Sequence, residues 1–290
     1  MTEKGYWTYN SILPSTFRCI STGSPSFDAI YCHNEESGES GLARGAMSVW
    51  SGSPGVGKTR LTITVVKAIL ANGVKILYFE NEFTVQQFKA HYKIYDPNNL
   101  LVISNETSLN NMNSIALSVK PDLIIVDSIN KIEHFNSLTF CPEIFNEFRK
   151  TIEEIDAHII FVSQLNKQGQ TKGSNDVEHL ADIVVRLTKC EVVKKLRNDP
   201  AYDSKDMFVL KVAKNRFGSS DNWLVFKHVQ EGVKCCCPNS PSGTYTLEDV
   251  IRGVNEKFSK DRIKQENTQQ TYQTEDEGWM YKFAKRFGVI

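Results

Sequence analysis

The octapeptide Gly52-Ser53-Pro54-Gly55-Val56-Gly57-Lys58-Thr59 fits the pattern GxxxxGK[ST], with a β-type run before it and a helix-type run after it. Each position has a chemical reason. The glycines let backbone N–H groups converge on phosphate oxygens, and the helix N-terminus adds its dipole. Lys58 would reach the β- and γ-phosphates, and the Thr59 hydroxyl would ligate Mg²⁺; Arg60 follows in the same ligand-binding turn. Such a site needs a second half, an apolar strand ending in a carboxylate. The run Asp-Leu-Ile-Ile-Val-Asp-Ser supplies one in Asp127, placed to hold the Mg²⁺ through its water shell. The strand-end aspartate alone is weak, since many buried strands end in Asp, and it becomes strong when paired with Gly52 to Thr59. Hydrolysis further needs a base to orient the attacking water, and Glu80 and Glu82 both close the run Ile-Leu-Tyr-Phe-Glu-Asn-Glu. Strand alternation sends both to one face, so spacing does not choose between them.

These residues must be held by a scaffold, and the flanking pattern describes it. Between Ala46 and His228, short aliphatic or β-branched runs alternate with longer segments of helical period, the signature of a mostly parallel central sheet flanked by helices in an α/β fold. Strands are expected at AMSVW, KILYF, LLVIS, LIIVD, HIIFVS, DIVVRL, MFVLKVA and WLVFKH. The segment after Gly57 reads as a helix closed by Gly73, and the segment from Cys141 to Asp156 repeats apolar residues at Ile144, Phe148, Ile152 and Ile155. The strand MFVLKVA runs into Lys214-Asn215-Arg216-Phe217-Gly218, two cations at a strand end, which by itself reads as a solvated tip.

Composition bounds the rest. The 290 residues suit one main domain, and 34 Lys plus Arg balance 34 Asp plus Glu, so an anionic partner must be met by local patches. No apolar run reaches signal-peptide length near the N-terminus or the roughly 18 residues of a membrane span, so a cytoplasmic protein without membrane attachment is expected. The seven cysteines form no CxxC pairs and read as reduced structural thiols. His134 and His179 have no partner at ligand spacing and read as core or surface residues. The Gly, Ser and Glu-rich segment from Cys32 to Gly45 reads as a connection.

The expected organisation is an aromatic N-terminal arm over residues 1–17, a catalytic core over 18–250, a polar linker over 251–278 and a tail over 279–290. In the tail, Trp279, Phe283 and Phe287 would stack on one helical face. That stripe has three readings: folding back on the core, docking on a neighbouring subunit, or recruiting a replisome or recombination protein.

Taken in order, Arg18 to Asp28 (RCISTGSPSFD), GSPGVGKT, YFENE, IIVDS, Phe161 to Gly169 (FVSQLNKQG), Gly173 to Asp182 (GSNDVEHLAD) and Lys214 to Gly218 (KNRFG) resemble the RecA-like P-loop NTPase core, most closely its RadA/Sms and DnaB-type helicase branches. The resemblance spans Arg18 to Phe226. It implies that Glu82 is the catalytic glutamate and that Gln164 senses the γ-phosphate. It implies DNA-binding loops over about 130–141 and 166–175, the second carrying Lys167, Gln168, Gly169, Lys172 and Gly173. It also implies that ATP lies between subunits, with Arg216 as an arginine finger and Lys214 as its partner reaching the neighbour's γ-phosphate.

The RadA/Sms relatives carry a zinc ribbon and a protease-like domain, and the replicative helicases a primase or primase-binding domain; no segment here resembles these, so a stand-alone core is expected. The adenine-stacking aromatic of the family has no evident counterpart. The implied function is an ATP-driven motor forming a hexameric ring on single-stranded DNA and unwinding it. Alternatives are a recombination or annealing ATPase forming filaments, and a regulatory ATPase acting without DNA.

Overall fold

A computed structural model describes residues 18–34, 37–135, 140–165, 176–190, 206–230 and 232–237. The N-terminal arm, the linker, the tail and the loop 166–175 lie outside the described residues.

Within them the chain forms a nine-stranded sheet. Its strands are β3 (Met47–Gly52), β4 (Ile76–Glu80), β5 (Leu101–Ser104), β6 (Leu123–Asp127), β7 (His158–Gln164), β8 (Ile183–Lys189), β9 (Met207–Asn215), β10 (Trp223–Val229) and β11 (Gly232–Cys235). A two-stranded ribbon, β1 (Cys19–Ile20) with β2 (Leu42–Ala43), stands apart from it. The helices are α1 (Pro25–Tyr31), α2 (Lys58–Ala71), α3 (Val85–Tyr92), α4 (Leu109–Val119), α5 (Phe140–Ile155) and α6 (Asp176–Leu180). Every strand expected from the sequence is present, and β1, β2 and β11 are additional.

Sheet order is β11-β10-β9-β8-β3-β7-β6-β4-β5. From β8 to β5 all pairings are parallel, while β8 to β11 form an antiparallel meander at one edge. The parallel strands read as unbroken apolar runs because both faces are covered. Alternation deals their side chains to two cores. Trp50, Tyr78, Ile125, Ile160, Val162 and Val185 pack with α1 and α2, while Val49, Leu77, Phe79, Val126, Ile159 and Phe161 pack with α4 and α5. On α5 the expected stripe holds: Ile144, Phe148 and Ile152 are buried, and Ile155 is partly so. The helix α2 ends as its sequence implies, with Gly73 at φ 77° donating its N–H to the Leu70 carbonyl.

The segment read as a connection is more ordered than composition suggested. Gly41, at φ 131°, lies so close to β1 that a Cβ would fall 2.2 Å from the Ile20 carbonyl oxygen, and His33 pairs with Ser40. Short runs of two residues carry too little periodicity to announce such a ribbon. On the α1 face a neutral chain crosses the core: Trp50 Nε1 donates to Tyr31 Oη, whose hydroxyl donates to Ser48 Oγ, which meets His158 Nε2 at 2.8 Å. His158 Nδ1 reaches the Ala43 carbonyl at 2.7 Å, and burial pushes the imidazole pKa down to about 4.

Candidate nucleotide-binding site

At the C-terminal ends of β3, β4, β6 and β7 lies a cleft of about 590 Å³. Ligands of open α/β sheets bind at that end, where loops leave adjacent strands. The loop from Ser53 to Gly57 turns out of β3, with Gly55 at φ 72° and Gly57 at φ 105°. Gly57 is fixed by more than its dihedral. A Cβ there would lie 2.4 Å from the His228 ring, so the loop and the β10 end fit only without a side chain.

Lys58 opens α2, and its ammonium donates to the carbonyls of Gly52 (2.8 Å) and Ser53 (3.1 Å). Burial pulls its pKa down, opposed by the charges of Asp127 and Glu82. Asp127 closes β6, buried at 3% exposure, and accepts a hydrogen bond from the Tyr78 hydroxyl at 3.0 Å. Burial pushes its carboxyl up to about 6, against hydrogen bonds from Thr59 and Tyr78 and the charge of Lys58. A buried carboxylate short of compensating charge beside a threonine hydroxyl is a hard oxygen donor set, which suits Mg²⁺. Among the described residues no three His, Cys, Asp or Glu converge on a metal site, so an ion at Thr59 and Asp127 would complete its shell with water and phosphate oxygens.

The strand β4 stops at Glu80, and there the two glutamates part. Glu80 is 1% exposed and accepts the N–H groups of Glu82 (2.7 Å) and Phe83 (2.8 Å), so it shapes the turn. Burial raises its pKa despite those bonds. Glu82, beyond the strand, lines the cleft. Alternation could not separate them because the strand ends before Glu82.

Gln164 ends β7 and also lines the cleft. Its N–H donates to Asn130 Oδ1 at 3.2 Å, tying the end of β7 to the turn that follows β6. Of the remaining expected ligand residues, Pro54, Gly55, Val56, Gly57, Thr59 and Arg60 line the cleft, while Gly52 and Ser53 reach it through Lys58. Arg60 is also bound elsewhere, its guanidinium donating to the carbonyls of Val229 and Gln230 (3.2 Å to Gln230). Sequence reasoning missed Ser128, Lys189, Asp206, Met207 and His228, which complete the wall. Their signal is positional: register sets Gly52 beside Leu187 and Met207 beside Lys227, which brings the ends of β8 and β10 and the start of β9 to the phosphate loop.

Lys214 and Arg216 are not in this cleft. Register sets Asn215 opposite Ile183 and Ile183 opposite Ser48, so KNRFG emerges at the end of the sheet away from Gly52. The Lys214 ammonium donates to the carbonyls of Glu178 (3.1 Å), His179 (2.8 Å) and Ala181 (2.7 Å), capping the end of α6. Arg216, with 55% of its side chain exposed, donates to Asp182 Oδ1 at 2.8 Å. Asp182 also accepts two bonds from Arg149 (2.7 and 3.1 Å) and one from the Met47 N–H (2.8 Å). Burial pushes the Asp182 carboxyl up, but the bonds from Arg149 and Met47 and the charges of Arg149 and Arg216 outweigh it, holding the pKa below the usual range. Lys167, Gln168, Gly169, Lys172 and Gly173 fall outside the described residues. His134 and His179 are both exposed.

Comparison with known proteins agrees with this geometry. A family model described as "ATPase: KaiC" matches residues 101–234. "DNA repair protein RadA" of Chlamydia trachomatis is 26% identical over 221 residues, covering 73% of this chain and 45% of that protein. RadA of Aquifex aeolicus is 27% identical over 201 residues (67% and 42%), and RadA of Bacillus subtilis 25% over 201 residues (67% and 41%). The chain spans less than half the length of these relatives. No helix among the described residues is long and apolar enough to cross a membrane. With its phosphate loop, its buried strand-end aspartate and these relatives, the chain carries a RadA-like ATPase core of the RecA-type P-loop fold.

Proposed function

We propose that this core is a DNA-dependent ATPase that assembles on single-stranded DNA, with nucleotide held between subunits, and works as a ring-shaped translocating or unwinding motor. The observation that carries the reading is the placement of Arg216 at the sheet end opposite the phosphate loop, half-exposed, on a strand end that cannot serve its own cleft.

In this scheme the backbone N–H groups of 53–59 hold the phosphates of ATP, and Lys58 turns from the Gly52 and Ser53 carbonyls toward the β- and γ-oxygens. Thr59 and, through a water shell, Asp127 would hold a Mg²⁺ ion, which would supply neutralising positive charge at the phosphates. Glu82 orients the attacking water and accepts its proton. Arg216 of the adjacent subunit stabilises charge on the transferring phosphoryl group, a contribution of about 10³- to 10⁵-fold in such sites. Lys214 supports that strand end through its three carbonyl bonds. Gln164 reports the γ-phosphate to the loop 166–175, whose Lys167 and Lys172 contact phosphodiesters with the help of the Gln168, Gly169 and Gly173 backbone. Asn130 gives that relay a second arm toward the turn after β6.

A second reading, a recombination or repair ATPase forming filaments, is favoured by the printed name of the relatives, DNA repair protein RadA. Steady-state ATP hydrolysis with and without single-stranded DNA, followed by electron microscopy of the ATP-bound assembly, tests the proposal. DNA-stimulated turnover with closed rings supports the motor, and filaments support the second reading. Turnover indifferent to DNA would overturn both and favour a regulatory ATPase.

A further inference from the structure

Cys19 and Cys32 are remote from the nucleotide cleft and take no part in the chemistry above. Their sulfurs lie 3.6 Å apart and share a hydrogen bond. The backbones are held together around them: Cys19 pairs with Ala43 in the β1–β2 ribbon, and the Cys32 carbonyl accepts the N–H of Gly41 at 3.0 Å. A disulfide needs its sulfurs about 2.05 Å apart, a closure that side-chain rotation can supply when the backbones are already neighbours. We propose that Cys19 and Cys32 form a reversible disulfide by exchange with a low-molecular-weight disulfide, and that this bond acts on the strand end bearing Arg216.

The two thiols are unequal in the way exchange requires. Cys19 is half-buried and Cys32 is 1% exposed. Its hydrogen bond with Cys32 holds the Cys19 thiol below its ordinary range, against burial and the nearby carboxylates of Glu39 and Asp28. The same bond, with burial, pushes the Cys32 thiol up. Cys19 is therefore the attacking thiolate and Cys32 the resolving thiol. With oxidised glutathione, Cys19 Sγ attacks one sulfur and expels one glutathione thiolate. Cys32 Sγ, losing its proton, then attacks Cys19 Sγ and expels the second. Two protein thiols are oxidised, one glutathione disulfide is reduced to two thiols, and the two protons pass to them.

The route to Arg216 is short. Phe217, next to Arg216, packs against the cluster of Cys32, Ala43 and Ala46, which Cys19 also borders. The Asn215 side chain donates to the Ile30 (3.3 Å) and Tyr31 (2.8 Å) carbonyls at the end of α1, directly before Cys32. Rotating the Cys32 side chain into the bond repacks the cluster on which Phe217 rests; because a displacement of about 1 Å at a catalytic group costs on the order of 10²-fold in rate, a fraction of it costs several-fold. The thiol chemistry stands alone, while its effect on turnover rests on the reading of Arg216 as a finger for the neighbouring subunit.

The test treats the full chain with oxidised glutathione, alkylates the remaining thiols and maps peptides by mass spectrometry. The expected product links Cys19 to Cys32 and leaves the other five of the seven cysteines alkylated. In Cys32→Ser, glutathione stays on Cys19; in Cys19→Ser, Cys32 does not react. Linkage among Cys235, Cys236 and Cys237 instead, both Cys19 and Cys32 still alkylated, or an unresolved glutathione adduct in the wild type would each overturn the pair. Turnover of the linked protein should fall several-fold and recover with dithiothreitol, while Cys19→Ser is indifferent to oxidant. Linkage without change in turnover would overturn the coupling alone, and full turnover in Arg216→Ala would overturn the finger reading while leaving the disulfide intact.

Discussion

The two ends of the sheet handle charge in opposite ways. At the phosphate end Asp127 is buried with too few cations, its pKa pushed up to about 6, while burial lowers that of Lys58 and raises that of Glu80. At the far end Asp182 is equally buried but carries Arg149, Arg216 and a backbone N–H, and its pKa is held down. One end is incomplete without a ligand, and the other is satisfied within the chain. Arg216 can act on a neighbour only by leaving Asp182, and the two-bond contact of Arg149 keeps that carboxylate paired when it does.

The sharpest way to break the comparison is Arg216→Ala. Removing the finger should lower DNA-stimulated ATP turnover by about 10³-fold or more. Nucleotide affinity should stay close to wild type, because the cleft does not contain this residue; fluorescent nucleotide titration beside steady-state kinetics checks both. Glu82→Gln follows, with turnover reduced about 10²- to 10⁴-fold and affinity retained. Glu80→Gln should instead destabilise the turn it anchors, so a thermal melt separates the two glutamates.

Smaller effects test the charge balance itself. Asp182→Asn should cost about 1–3 kcal/mol at neutral pH, since two partly exposed arginines and one N–H lose their ionic acceptor. Asp127→Asn should stabilise the ligand-free protein by about 1–3 kcal/mol while disabling Mg²⁺-dependent hydrolysis. The pH dependences differ in sign. The Asp127 carboxyl is raised from 3.8 to about 6, so its penalty is present above 6 and fades as pH falls toward 3.8; the gain in Asp127→Asn should fade with it. Asp182 is lowered, so its contribution is present above the unfolded value and is lost only as pH falls below about 3.9. Chemical denaturation of both variants at neutral and acidic pH reads the two slopes.

The contrast also marks what the sequence made legible. Gly52 to Thr59 and Asp127 stood out because they form contiguous motifs at strand ends, whereas Gln164 was marked only by the family resemblance. The parallel strands were equally visible because burial on both faces leaves unbroken apolar runs. Spacing left Glu80 and Glu82 equal, since the difference turns on where β4 stops, and only the family resemblance pointed to Glu82. His228 escaped notice because its proximity to Gly57 arises from pairing β10 into the sheet, 171 positions later in the chain. The far end was least legible of all. The Asp182 hub joins Met47, Arg149 and Arg216 across sequence separations of 135, 33 and 34, and nothing local announces it. Lys214, equally, shows its three carbonyl partners only once β9 lies beside β8 and α6.

The central claim, that one subunit's Arg216 completes another's cleft, is tested most directly by mixing two inactive proteins. Glu82→Gln supplies an intact Arg216 and a dead cleft, and Arg216→Ala supplies the reverse. Mixed on single-stranded DNA with ATP, they should regain turnover well above either protein alone, because Glu82→Gln subunits lend Arg216 to the intact clefts of their neighbours. A mixture as inactive as its components would contradict the account.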